Sequence, residues 1–253
     1  MDLGLSGKKA LITGATRGIG RAIANLLADE GADLAICSRN QEEVDSAIAD
    51  LSAKGVKVTG AVVDVADRES YQAWITSAGE EMGGIDIFIP NVSAGGGDMS
   101  EQGWVNNFNV DLLGTTRGVE AAMPFLEKSD AASIVVISST AGVETFMGPA
   151  PYNAIKGALI VHAKQLSQAL APNGIRVNTV SPGPIYFEGG AWEFIKENMS
   201  ELYDATLADI PQGHMGSPEE IANTVAFLAS PAASLITGVN LVADGGFTKR
   251  VQL

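Results

Sequence analysis

Tyr152 and Lys156 stand four residues apart at the head of a stretch whose apolar residues, Ile155, Leu159, Leu166 and Leu170, keep helical spacing. On a helix, positions i and i+4 share one face, so the phenol and the ammonium are neighbours. A free tyrosine titrates near 10, too high for efficient proton transfer at neutral pH. A cation within about 4–6 Å lowers such a value by ~1–3 units. The pair therefore reads as an acid–base group, although the same pair also occurs on helices by chance.

A second cluster lies near the N-terminus. Thr13-Gly14-Ala15-Thr16-Arg17-Gly18-Ile19-Gly20 joins an apolar run to a helical pattern formed by Ile19, Ile23, Leu26 and Leu27. Glycines at such a junction allow a tight turn and let backbone N–H groups and the helix N-terminus approach a pyrophosphate. With 29 glycines in 253 residues, the pattern alone is weak. Its place between strand and helix makes it a dinucleotide turn with Gly14, Thr16, Arg17, Gly18, Ile19 and Gly20 as contacts.

The next strand ends in Ile36-Cys37-Ser38-Arg39-Asn40. A carboxylate there would hold the adenosine ribose hydroxyls of NAD. Ser38 and Arg39 stand in its place, and Arg39 and Arg17 can grip a 2′-phosphate with charge-assisted hydrogen bonds. NADP(H) is therefore the expected cofactor, with NAD(H) possible through the shared pyrophosphate turn.

The elements that must position these groups alternate along the chain. Strands are expected at Lys8–Thr13, Asp33–Ser38, Val56–Val63, Ile85–Pro90, Ser133–Ser138, Ile175–Ser181 and Val239–Ala243. Runs such as Ile134-Val135-Val136-Ile137 suit strands covered on both faces. Helical patterns lie between them, the last opening on Ser217-Pro218-Glu219-Glu220, a capping box with proline at the first helical position. The alternation implies an α/β fold: one doubly wound, Rossmann-type domain over residues 1–253, with a parallel seven-stranded sheet flanked by helices. The segment 182–216 breaks the rhythm. Rich in Gly, Pro and aromatic residues, with helix-like pieces near 191–199 and 201–209, it is expected to be a substrate lid.

Composition narrows the partners. Sixteen basic and 30 acidic residues leave a net charge of −14, which repels nucleic acid and anionic membranes. A single cysteine, Cys37, excludes a disulfide framework and points to a reducing, cytoplasmic setting. With His162 and His214 as the only histidines, no metal site is expected. The N-terminus lacks a secretory signal pattern, and no apolar stretch approaches the ~20 residues of a membrane span.

Taken together, these motifs resemble the short-chain dehydrogenase/reductase family in its compact form, from about Ser6 to Gly246. The resemblance includes the turn at 13–20, Asp64 after the third strand, Asn109, Ser139 after the fifth strand, Tyr152/Lys156, Pro182-Gly183 and Asp244-Gly245-Gly246. It implies hydride transfer between NADP(H) and a secondary alcohol or ketone, with Tyr152 as acid/base and Ser139 polarising the substrate oxygen. Lys156 would assist Tyr152 and bind the nicotinamide ribose, and Asn109 would hold a water of the proton relay. Ser138 is an adjacent alternative to Ser139. Asp64, Val65, Asn91, Tyr152, Lys156, Pro182, Gly183 and Ile185 join the implied cofactor contacts. A homotetramer is also implied.

Two departures stand out. Pro90-Asn91-Val92-Ser93 replaces the usual Asn-Asn-Ala-Gly, and Phe187 stands where a threonine often binds the carboxamide. Tyr186, Phe187, Trp192, Phe146 and Met147 could line an apolar pocket or form the core of the flap itself. Two other functions compete. A 3-oxoacyl-carrier-protein reductase would dock an acidic partner on arginines, but Glu127–Asp130 and Gln168–Asn173 supply one lysine and no arginine. A non-catalytic dinucleotide-binding redox sensor would not need the proton donor.

Overall fold

The computed structural model describes residues 2–251. Seven parallel strands form its sheet: β1 (Lys9–Thr13), β2 (Asp33–Ser38), β3 (Val58–Val62), β4 (Ile87–Ile89), β5 (Ser133–Ile137), β6 (Arg176–Pro182) and β7 (Asn240–Ala243), in the order β3-β2-β1-β4-β5-β6-β7. Among the described residues the helices are α1 (Gly18–Asp29), α2 (Gln41–Ser52), α3 (Arg68–Met82), α4 (Glu101–Asn107), a π-helical turn (Phe108–Leu113), α5 (Gly114–Leu126), α6 (Pro151–Leu170), α7 (Ala191–Asn198), α8 (Ser200–Ala208) and α9 (Pro218–Ala229), besides short 3₁₀ turns.

Alternation along each strand builds the two layers. In β1, Ala10 and Ile12 point to one core while Leu11 points to the other. The first core takes the buried faces of α1, α2 and α9; the second takes those of α3, α5 and α6. Because both faces are covered, the strands read as near-continuous apolar runs.

The expected strand set stands with ends shifted by up to two residues, most of them trimmed, while β6 runs one residue further to Pro182. β4 loses Ile85, Asp86 and Pro90, because its ladder with β1 covers only Ala10 to Ile12. The capping box at α9 forms in full, with Ser217 and Glu220 each bonding the other's backbone. Between β6 and α9, α7 and α8 occupy the segment expected to be a lid, one residue shorter at each C-terminal end than the sequence pattern.

The order reverses at β1, which pairs with β2 on one side and β4 on the other. The loops leaving those strands diverge there and open a cleft at their C-terminal ends.

Candidate active site

The cleft, about 630 Å³, is lined by Gly14, Thr16, Arg17, Gly18, Ile19 and Gly20 from the β1–α1 turn, and by Ser38, Arg39, Asp64 and Val65 from the ends of β2 and β3. Gly14 and Gly18 have φ of +68° and +54°, left-handed backbone that favours glycine. At Gly20 the requirement is space: a Cβ there would lie 2.2 Å from the Gly14 carbonyl oxygen. Asn91 braces the turn from behind, donating through Nδ2 to the carbonyls of Thr13 (3.0 Å) and Gly14 (3.1 Å). The N-terminus of α1 carries no capping side chain and no acidic residue in its first turn. Its N–H groups thus face the cleft ready for an anion, and a dinucleotide pyrophosphate fits this cradle.

Around the far end of the cleft, Arg17 and Arg39 are exposed. Among the described residues, neither has an ion-pair partner. Ser38 Oγ accepts the Asn40 N–H at 3.2 Å. The structure also brings in Glu43, from the first turn of α2, whose Oε2 accepts from Thr16 Oγ at 2.7 Å. This carboxylate stands a helical turn beyond the strand end at which dinucleotide-binding acids are expected, so the strand-end residues alone do not point to it. Asp64 lies on the cleft wall, with Oδ1 accepting the Ala66 N–H at 2.9 Å. Cys37 is fully buried beneath, and burial pushes its thiol up to about 12, so it is not a nucleophile.

Outside the residues that line the cleft, α6 begins at Pro151, whose missing N–H costs nothing at the first helical position. Asn153 ties that end to the preceding loop, donating to the Phe146 and Gly148 carbonyls. Lys156 is 2% exposed, and its Nζ lies 5.5 Å from the Tyr152 ring centroid. It donates to the Ile137 carbonyl at 3.1 Å. The adjacent serines separate. Ser138 is buried and donates to the Lys156 carbonyl at 2.8 Å, whereas Ser139 is half-buried and accepts the Ala141 N–H, leaving its own O–H free to donate. Ser139 is the one with a hydroxyl to offer.

The partners of Lys156 Nζ among the described residues are the Ile137 carbonyl and Asp111, not Asn109. Asn109 lies half-buried in the π-helical turn, while Asp111, two residues on, sets Oδ1 3.0 Å from Lys156 Nζ. A lone acid within the apolar run Val110-Asp111-Leu112-Leu113 was the available signal, since a buried charge needs a partner. Pro182, Gly183 and Ile185 lie where β6 leaves the sheet, Gly183 so near Asp244 that a Cβ would meet the Asp244 Cβ at 2.6 Å. Beyond them, Phe146, Trp192, Tyr203 and Tyr186 form a chain of ring contacts, with centroids 6.2 to 6.5 Å apart, that binds α7 and α8 to the loop before α6. Phe247 joins Phe146 edge-on at 5.4 Å.

A doubly wound parallel sheet with a glycine cradle at its switch point and a Tyr–Lys pair beside it defines a Rossmann-type oxidoreductase using a nicotinamide dinucleotide. Comparison with known proteins agrees. A family model described as enoyl-(acyl carrier protein) reductase matches residues 14–248. The chain is 39% identical over 250 residues to the isoepoxydon dehydrogenase patN of Penicillium expansum, covering 97% of this chain and 96% of that protein. It is 36% identical to human dehydrogenase/reductase SDR family member 4, covering 98% and 90%. Among solved structures, L-sorbose reductase from Gluconobacter frateurii, complexed with NADPH and L-sorbose, superposes with a TM-score of 0.92 at 30% identity, covering 99% and 100%. The chain belongs to the short-chain dehydrogenase/reductase family, and it is an oxidoreductase acting on CH–OH groups.

Proposed function

We propose that the protein interconverts a small ketone and its secondary alcohol with NADP(H) as the preferred cofactor and Tyr152 as the acid/base. The observation that carries this reading is the buried Lys156 ammonium, fixed 5.5 Å from the Tyr152 ring. In reduction, the Tyr152 hydroxyl gives its proton to the carbonyl oxygen, and the Ser139 O–H donates a hydrogen bond to the same oxygen. Lys156 supports the phenol and holds the nicotinamide ribose. The place expected for Asn109 falls to Asp111. The bound cofactor supplies or receives the hydride.

Arg39 and Arg17 hold the 2′-phosphate in this reading, and α7 with α8 closes over the substrate as a lid. The working form is a homotetramer in a reducing, cytoplasmic compartment. No helix among the described residues is long and apolar enough to cross a membrane.

The test is a screen of ketones and alcohols followed by NADPH absorbance, with Tyr152→Phe as the comparison. Positioned acid–base groups contribute ~10²–10⁴-fold, and turnover by the variant should fall by that amount while NADPH still binds. A variant with wild-type turnover overturns the assignment.

A further inference from the structure

Asn153 follows Tyr152 directly and is half-buried in the first turn of α6. Its Nδ2 donates twice, to the Phe146 carbonyl at 2.9 Å and to the Gly148 carbonyl at 3.1 Å. Both partners are acceptors, so the amide must present its NH2 group to them. The two bonds straddle Met147. Among the described residues, Met147 is the one non-glycine residue with left-handed backbone, at φ +56°. Its side chain is exposed, so its own burial does little to offset that strain.

The strained turn matters because of the residue before Met147. The Phe146 ring stands 6.2 Å from the Trp192 ring of α7 and 5.4 Å, edge-on, from Phe247. Trp192 continues the contact to Tyr203 of α8 at 6.5 Å. The base of the loop is fixed separately, Glu144 Oε2 accepting the Lys249 N–H at 3.0 Å. At its tip, residues 146–148, the side-chain hydrogen bonds among the described residues come from Asn153 alone.

We propose that Asn153 is a positioning residue for substrate binding: by holding the strained 146–148 turn it seats Phe146 against Trp192 and keeps α7 in the arrangement that receives substrate. The inference rests on the reading of α7 and α8 as a substrate lid. Where the turn relaxes, substrate meets a lid that is only partly in place, and apparent affinity falls with the fraction of competent molecules. Turnover at saturation is kept, because bound substrate restores the arrangement. Residues 146–148 are not among those lining the dinucleotide cleft, so NADPH affinity is kept as well.

Asn153→Ala removes both donors. KM for the ketone turned over fastest in the NADPH screen should rise about fivefold to a hundredfold, the range covered by two neutral hydrogen bonds. The kcat and the NADPH dissociation constant should stay within about twofold of the unaltered protein. In a Met147→Gly background the same substitution should cost about threefold or less, because glycine takes the left-handed conformation without a side-chain penalty. Hydrogen–deuterium exchange reads the change without substrate: amides of α7 should exchange faster in Asn153→Ala, and those of α1 should not. Unchanged KM with unchanged exchange in α7 overturns the proposal. A fall in kcat at constant KM also overturns it, by placing the effect on Tyr152, and so does an equal rise in KM in both backgrounds. If Asn153→Ala does not fold, Met147→Gly should restore folding; failure to do so counts against the proposal in the same way. Trp192→Ala separates the two readings. Unchanged KM in that variant removes the lid itself, whereas a raised KM there beside an unimpaired Asn153→Ala removes only the present inference.

Discussion

The ring of Phe187 lies against Gly18, the first residue of α1, so closely that a Cβ on Gly18 would stand 2.6 Å from Phe187 Cζ. The residue in the place of the carboxamide-binding threonine is therefore packed over the helix end that faces the cleft. Gly18→Ala meets both this ring and an unfavourable φ of +54°. It should weaken NADPH binding at least about tenfold, equivalent to ~1.4 kcal/mol, in a fluorescence titration. Adding Phe187→Ala should recover only part of the loss, because the backbone strain remains. Full recovery would show that the ring alone excludes the side chain.

Cofactor choice should depend on two opposed charges. Arg39→Ala should remove about tenfold to a hundredfold of the preference for NADP(H) over NAD(H), the worth of a hydrogen bond to a charged group. Glu43 lines the same end of the cleft and would repel a 2′-phosphate. Glu43→Gln should therefore raise the preference by about threefold to tenfold, the effect of one like charge near ~6 Å in a partly solvated site. Ratios of kcat/KM for the two cofactors, on one substrate at matched salt, decide both.

Trp104 and Val105 on α4, Phe108 at the start of the π-helical turn and Val161 on α6 are large apolar groups left open to solvent. Closed, symmetric assemblies commonly cover such faces. Light scattering should give a particle of about four chains. Phe108→Glu should yield smaller species. A 26.2 kDa particle for the unaltered protein across the working concentrations contradicts the assembly.

The α9 cap should respond to acid. Glu220 is held below the usual carboxylate range, first by the Ser217 backbone N–H and then by His214. A value lower in the folded than in the unfolded chain adds stability above the unfolded value, lost as pH falls through the folded one. Glu220→Gln should lower the melting temperature at pH 7, and this difference should shrink as pH falls from the ordinary carboxylate value and vanish once it is below the lowered value of the folded chain. A constant difference at every pH would remove the electrostatic part of the cap.

The repeating features of this protein were legible in its sequence. Apolar alternation in Ala10-Leu11-Ile12 and Ile134-Val135-Val136-Ile137 marks strands buried on both faces, because side chains point to opposite sides at every step. The glycine turn is local too, since its constraints act within eight residues, and the Tyr152/Lys156 spacing follows from helix geometry alone. What the tertiary structure decided are contacts between elements distant in the chain: Glu43 beside Thr16, Phe187 over Gly18, and Asp111 against Lys156 in the place expected for Asn109. The separation of the two adjacent serines is of the same kind: the Lys156 carbonyl takes up the Ser138 hydroxyl and leaves that of Ser139 free. No periodicity encodes such pairs. A side chain's partner across the fold depends on where helix ends and loops come to rest, and here the π-helical turn carries Asp111 to Lys156.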